Sequence, residues 1–252
     1  MPRKPYSIGL AGKGGTGKTT IAGLLVKFLV EKGKGPILAV DADSNANLNE
    51  VLGLEVEETL GGAREEMKRG VATGMTKDVF MEMKLEQAVV EADGFDLIVM
   101  GRPEGPGCYC AANSLLTIYL ERLIGNYEYV VIDNEAGMEH ISRLTTNDIN
   151  LLLVVSDPTR RGIQSAARIF ELTKELGLNI DRELLVVNQA REGQFDNLSK
   201  TAKEFNLDLT GVIPEDEEIR EFDLNGRPTV QLSPTSKALQ AAYSIFGNVL
   251  SL

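Results

Sequence analysis

The sequence predicts an α/β fold, a doubly wound and mostly parallel sheet flanked by helices, and two observations carry that expectation. Short apolar, β-branched runs recur over residues 6–11, 36–40, 95–100, 129–132, 151–155, 184–187 and 209–213, mostly with helical patterns between them. Apolar strands alternating with helical crossovers are the pattern of strands buried on both faces of a sheet. The second observation is the glycine-rich stretch Gly12-Lys13-Gly14-Gly15-Thr16-Gly17-Lys18-Thr19-Thr20, which joins the first apolar run to a helical pattern over residues 19–29. Ligands of such sheets bind at the carboxyl ends of the strands, so the chemistry is expected there.

The glycine-rich stretch has the form G-x-x-x-x-G-K-T in the strand, loop, helix context of a phosphate-binding loop. Gly14, Gly15, Thr16 and Gly17 let successive backbone N–H groups turn inward around a polyphosphate, and the following helix adds its positive end. Lys18 is placed to reach the β and γ phosphates of ATP, Thr19 to offer a hydroxyl to Mg²⁺, and Thr20 completes the loop. Two further carboxylate-bearing stretches follow strand patterns: Asp41-Ala42-Asp43-Ser44-Asn45-Ala46-Asn47-Leu48 and Asp133-Asn134-Glu135-Ala136-Gly137-Met138-Glu139-His140. Asp133 suits the role of holding the Mg²⁺ shell, with Gly137 the hinge of a loop that senses the γ phosphate.

At 252 residues the chain is long enough for one large α/β domain, and residues 1–252 are read as a single ATPase domain. The balance of 26 basic against 37 acidic residues, a formal net charge of −11, repels nucleic acid and anionic membrane. No amino-terminal apolar run suits a signal peptide or a spanning helix, so a cytoplasmic location is expected. Leu239, Ala242, Tyr243, Phe246, Val249 and Leu250 share a helical face near the carboxyl end, with Lys237 the one nearby cation. A membrane-seeking helix wants a basic polar face, so this one is expected to pack on the domain. Residues 49–94 and 189–206 carry no recognisable motif.

Lys13 distinguishes this loop, because a plain phosphate loop needs no lysine directly after its first glycine. The pattern K-G-G-T-G-K-T resembles the deviant Walker A of the family that includes the nitrogenase iron protein, the arsenite-pump ATPase, and the ParA and MinD ATPases. In that family the extra lysine crosses a two-fold axis to the partner's nucleotide. The resemblance therefore implies a homodimer that sandwiches ATP, with Lys13 and Lys18 catalytic and hydrolysis to ADP coupled to assembly and release. By similarity to the family's switch I, Asp43 orients the attacking water and Asp41 supports the Mg²⁺ shell. Asn188 and the Ile213-Pro214-Glu215-Asp216 stretch resemble the family's adenine pocket.

The two cysteines stand together as Cys108-Tyr109-Cys110, after a Gly/Pro-rich stretch. A lone pair in such a chain is not a disulfide framework. If the backbone is extended, both sulfurs project to one side and can face one metal ion; small core residues and a reversible thiol pair are the structural alternatives. Two thiolates seldom complete a coordination shell, whereas the two copies implied by Lys13 bring four, suited to Zn²⁺ or Ni²⁺. With the sequence D-N-E-A-G-M-E-H around Asp133, the C-x-C resembles the CooC-type nickel-insertion ATPases. That resemblance implies apo carbon monoxide dehydrogenase as partner and Cys108 and Cys110 as metal ligands. An iron protein-like electron-transfer ATPase is the nearest rival, but it needs a second well-separated cysteine where this chain has His140. His140 is read either as an accessory ligand or as a packing residue, and a MinD/ParA-like spatial-organising ATPase is the third alternative.

Overall fold

The computed structural model describes residues 4–43, 45, 47–70, 74–101, 121–135 and 148–252. Cys108, Cys110, Gly137 and His140 lie outside the described residues. The apolar run at the start becomes β1 (Tyr6–Gly12), the phosphate-loop stretch leads into α1 (Lys18–Glu31), and β2 (Ile37–Ala42) follows. Helices α2 (Leu48–Leu52), α3 (Leu60–Arg69) and α4 (Lys77–Ala88) precede a hairpin of β3 (Val89–Ala92) and β4 (Phe95–Val99). The second half runs β5 (Tyr129–Asn134), β6 (Asp148–Ser156), α5 (Arg160–Glu175), β7 (Asn179–Ala190) and α6 (Phe195–Glu204). It ends with β8 (Leu209–Pro214), α7 (Glu217–Leu224), a 3₁₀ turn (Thr229–Gln231) and α8 (Lys237–Leu250).

Eight strands form one sheet in the order β3-β4-β2-β5-β1-β6-β7-β8. Every neighbouring pair is parallel except β3 and β4, which are antiparallel. The expected doubly wound sheet is therefore present, with two differences. Strand β3 was not expected, although Asp93-Gly94 between Val89-Val90 and Phe95 is a two-residue hairpin signal. The expected strands β2 and β5 also run further, so Asp41 and Asp133 sit inside strand ends rather than in the loops after them.

Alternation along the buried strands sorts the core. On one face Ile8, Leu10, Ala39, Val131, Leu153 and Val155 pack with α1 and α8 through Leu24, Leu25, Phe28 and Phe246. On the other, Leu38, Val40, Ile98 and Ile132 pack with Leu60 of α3 and Phe80, Met81 and Leu85 of α4. Further along that face Leu152, Val154, Leu185 and Val187 meet Ile163 and Ala166 of α5 and Leu198 and Ala202 of α6. The motif-free stretch before β4 thus contributes α3 and α4, which start at threonine N-caps: Thr59 accepts from the Gly62 N–H and Thr76 from the Val79 N–H.

The apolar face of α8 does pack inward, with Leu239, Ala242, Phe246 and Val249 buried. The Phe246 ring meets Phe28 edge-on at 5.6 Å, and Phe28 meets Tyr243 edge-on at 5.1 Å. Among the described residues no helix is long and apolar enough to cross a membrane. Because Phe246 is 2% exposed and bridges α8 to α1, Phe246→Ala is expected to cost about 3–5 kcal/mol, read as a lower urea midpoint at unchanged slope.

Candidate nucleotide site

Backbone space decides why the loop after β1 is glycine-rich. A Cβ at Gly12, whose φ is +154°, would lie 2.3 Å from the Val155 carbonyl oxygen on β6. At Gly17, with φ +83°, it would lie 2.4 Å from Asn188 Nδ2. Side chains would drive the loop off the sheet at both positions. The loop is closed from within by the Thr16 hydroxyl, which donates to the Lys13 carbonyl at 2.9 Å, and from below by Asn188 Nδ2, which donates to the Thr16 carbonyl at 2.9 Å. Helix α1 then begins at Gly17 with no side-chain cap and no acid in its first turn. Its leading N–H groups and positive end are left to an anion.

Beside this loop two carboxylates share one register. Asp41 on β2 is the direct neighbour of Asp133 on β5, and Leu10 of β1 flanks Asp133 on the other side. Asp41 is 0% exposed and Asp133 1% exposed. Asp41 spends its oxygens on backbone: Oδ1 accepts from the Asp43 N–H at 3.1 Å and Oδ2 from the Leu48 N–H at 2.9 Å. It thereby holds the turn containing Asp43 against the start of α2. Burial pushes the Asp41 carboxyl up to about 6, against the pull of those N–H donors. Asp43 in turn accepts from the Asn45 N–H at 2.8 Å.

Asp133 is satisfied less fully. Its Oδ1 is buried with no hydrogen-bond partner. Burial pushes its carboxyl up to about 7; a hydrogen bond with the Thr19 side chain and the Lys18 charge pull it down, while Asp41 and Asp43 push it further up. The Lys18 ammonium is itself lowered by burial, with Asp133 and Asp43 acting in the opposite sense. Its Nζ also donates to the Lys13 carbonyl at 3.4 Å. An orphaned buried carboxylate oxygen beside a hydroxyl fits a hard divalent cation, which takes oxygen ligands. Thr19 and Asp133 are the residues that would hold Mg²⁺ directly, with Asp41, whose oxygens accept from backbone N–H groups, supporting the shell; the ion would supply charge neutralisation for the phosphates.

The remaining expected residues fall around the same edge. Lys13 is exposed on the loop. Asn188 lies in β7, where its amide nitrogen braces the phosphate loop. Pro214 ends β8 opposite Ala190, and the Glu215 N–H donates to the Ala190 carbonyl at 2.9 Å. Its neighbour Asp216, the last residue of the stretch expected to line the adenine, organises the backbone here, a role the sequence did not indicate. It caps α7 through the Glu218 N–H and accepts from Ser236 Oγ at 2.7 Å and the Ala238 N–H at 3.0 Å. Asn134 was also missed: its Nδ2 donates to the Leu10 carbonyl at 2.9 Å, tying β5 to β1 just below the loop. A polar amide ending an apolar strand was the available signal.

Strand β4 runs parallel to β2 and ends at Val99 at this edge too. Met100 is tied on both sides, its N–H donating to the Asp41 carbonyl at 2.8 Å and its carbonyl accepting from the Gly61 N–H at 2.7 Å. Among the described residues no group of three or more His, Cys, Asp or Glu side chains is arranged to hold a metal ion. A cleft of about 950 Å³ opens at the opposite end, by the amino ends of β1, β5, β6 and β7, and includes none of the phosphate-loop residues.

The sequence matches the family described as the CobQ/CobB/MinD/ParA nucleotide binding domain over residues 8–230. The chain belongs to that family. It is 40% identical to an uncharacterized ATP-binding protein of Methanocaldococcus jannaschii, over 97% of this chain and 98% of that one. It is 32% identical to the carbon monoxide dehydrogenase accessory protein CooC of Rhodospirillum rubrum, over 93% of this chain and 95% of the relative. Among solved structures, the septum site-determining protein MinD of Pyrococcus horikoshii, complexed with Mg-ADP, superposes with a TM-score of 0.72 at 26% identity, covering 97% of this chain and 96% of that one. The protein is thus a nucleotide-binding member of the MinD/ParA group of P-loop ATPases, and the deviant Walker A resemblance holds at the level of the family.

The buried carboxylates make opposite demands in the empty and loaded protein. Asp133, raised to about 7 from an ordinary 3.8, keeps a proton that the unfolded chain releases. Its stabilising contribution is complete below that ordinary value and is lost as pH rises through about 7. Nucleotide-free protein is therefore expected to lose thermal stability across that interval, and Asp133→Asn to flatten the loss. The stabilisation by Mg²⁺-ATP is expected to grow over the same interval, because the ion needs the ionised carboxylate. Scanning fluorimetry across pH measures both, and an unliganded profile indifferent to Asp133→Asn contradicts the assignment.

Proposed function

We propose that the protein is a dimeric, nucleotide-dependent ATPase, acting as one domain over residues 1–252. It carries Ni²⁺, or Zn²⁺ in its place, between Cys108 and Cys110 of two copies and inserts nickel into apo carbon monoxide dehydrogenase. The observation that carries this is the Cys108-Tyr109-Cys110 sequence just beyond β4, in a chain 32% identical along 93% of its length to a carbon monoxide dehydrogenase accessory protein. The metal is cargo rather than a resident cofactor.

In the hydrolytic step Lys18 and the leading N–H groups of α1 hold the β and γ phosphates, and Thr19 and Asp133, with Asp41 supporting them, would hold Mg²⁺. Asp43 orients the water that attacks the γ phosphorus as the bond to ADP breaks. Asn188, Pro214 and Glu215 line the base. Lys13, exposed on the loop, reaches the partner's nucleotide, so that ATP favours the closed dimer and its loss reopens it. The four thiolates meet when the dimer is closed and release the ion to the client when it opens.

Two variants test separate parts. Replacing both Cys108 and Cys110 by Ser is expected to abolish the single nickel or zinc ion bound per dimer under anaerobic conditions while leaving ATP binding intact; undiminished stoichiometric metal refutes the cargo role. Lys13→Ala is expected to keep nucleotide affinity in the monomer and to lose the ATP-induced shift to a dimer in light scattering.

The MinD likeness favours a second reading, a spatial-organising ATPase. It calls for a membrane or nucleic-acid surface, yet the apolar face of α8 is buried in the core and the chain carries a net charge of −11. Co-sedimentation with anionic vesicles or duplex DNA at moderate salt separates the two, and the metal-carrier reading expects neither.

A further inference from the structure

Helix α5 breaks a local rule at the edge that holds the phosphate loop. From its N-cap Thr159 to Phe170 it carries Arg160, Arg161 and Arg168 and no acid, in a chain whose acids outnumber its bases by 37 to 26. A helix dipole favours acids in the first turn; α5 has none there and places Glu171 and Glu175 toward its carboxyl end instead. Departures from local preference in a well-formed fold concentrate where function demands them.

The three guanidinium groups are not equivalent. Arg160 pairs with Glu204 of α6 and lies 5.0 Å from the Phe205 ring centroid, so it is fixed to the body. Arg161 and Arg168, two turns apart and therefore on one stripe, are both exposed. Neither is held by a hydrogen bond or ion pair of its side chain among the described residues. The platform beneath them is rigid. The Thr159 hydroxyl caps the Gly162 N–H at 3.0 Å, and a Cβ at Gly162 would lie 2.4 Å from Asp157 Oδ1, so the first turn is pressed onto the end of β6.

We propose that the Arg161–Arg168 stripe, backed by Arg160, docks a carboxylate-rich segment of a client protein. Charge complementarity names the occupant: a guanidinium fork matches a carboxylate in two parallel hydrogen bonds, and two forks on a fixed helix read an acidic segment in register. A nucleic-acid backbone needs a broader positive field than two cations set in an acidic surface supply, since screening confines each charge to about 10 Å. Because β6 lies beside β1 in the sheet and α5 follows it, a client held here sits next to the nucleotide edge. The inference goes beyond metal delivery and does not depend on the cysteines.

The test uses the full chain and a fluorescein-labelled oligoglutamate peptide, read by anisotropy at low salt. Arg161→Glu with Arg168→Glu is expected to weaken binding about tenfold, and Arg161→Gln with Arg168→Gln to weaken it by less. Lys174→Glu with Lys203→Glu changes net charge as much as the first pair but is expected to leave affinity within about threefold. ATP hydrolysis is expected to be the same in all variants, which also shows that each is folded. Equal losses from both charge-reversed pairs, no binding of the peptide by the parent protein, or arginine-dependent binding of duplex DNA in preference to the peptide would each overturn the proposal.

Discussion

Asp41 and Asp133 stand side by side on neighbouring strands with almost no access to water, and the Lys18 ammonium feels the charges of Asp133 and Asp43. Buried charge is tolerated when it is paired and hydrogen-bonded, and here the pairing is incomplete. Asp41 is quieted by two backbone N–H groups, whereas Asp133 keeps one oxygen with no donor. That deficit is what a divalent cation with its nucleotide would fill. Burial raises both carboxyls, Asp41 to about 6 and Asp133 to about 7, so each keeps its proton to higher pH than an ordinary aspartate. A cation bound at Asp133 would need the ionised carboxylate, so its binding would release a proton.

The sheet supplies the geometry this requires. Strand β1 lies between β5 and β6, so the loop leaving it passes over Asp133 on one side and Val155 on the other. Asn134 secures β5 to β1 below the loop, and Asn188 secures the loop from β7. Met100 connects the end of β2 to the start of α3 through its two backbone hydrogen bonds. Those bonds stand at the entrance to the stretch that contains Cys108 and Cys110.

Much of this was legible in the residues because the phosphate loop and the parallel strands are local patterns. Gly12 to Thr20 specify a loop by backbone chemistry alone, and continuous apolar runs specify strands covered on both faces. What was not legible depended on distance. That Asp41 would stand beside Asp133, and that Asn188 would reach back to Thr16, are consequences of strand order, which no spacing in the chain reveals. Helix α4 has weak apolar periodicity and α3 is polar overall, so their threonine caps were the remaining signal, and β3 was hidden in a four-residue strand whose hairpin turn was the better clue. The C-x-C lies outside the described residues, so its role rests on residue chemistry and on likeness to relatives.

On the proposed function, nucleotide brings the thiolates of two copies onto one metal ion. X-ray absorption at the zinc or nickel edge, on anaerobic protein trapped with a non-hydrolysable ATP analogue, examines the coordination shell directly. For zinc the expected shell is sulfur alone, four atoms at about 2.3 Å, present only in the dimer. A first shell made of nitrogen and oxygen, or one unchanged when Cys108 and Cys110 are both serine, would contradict it.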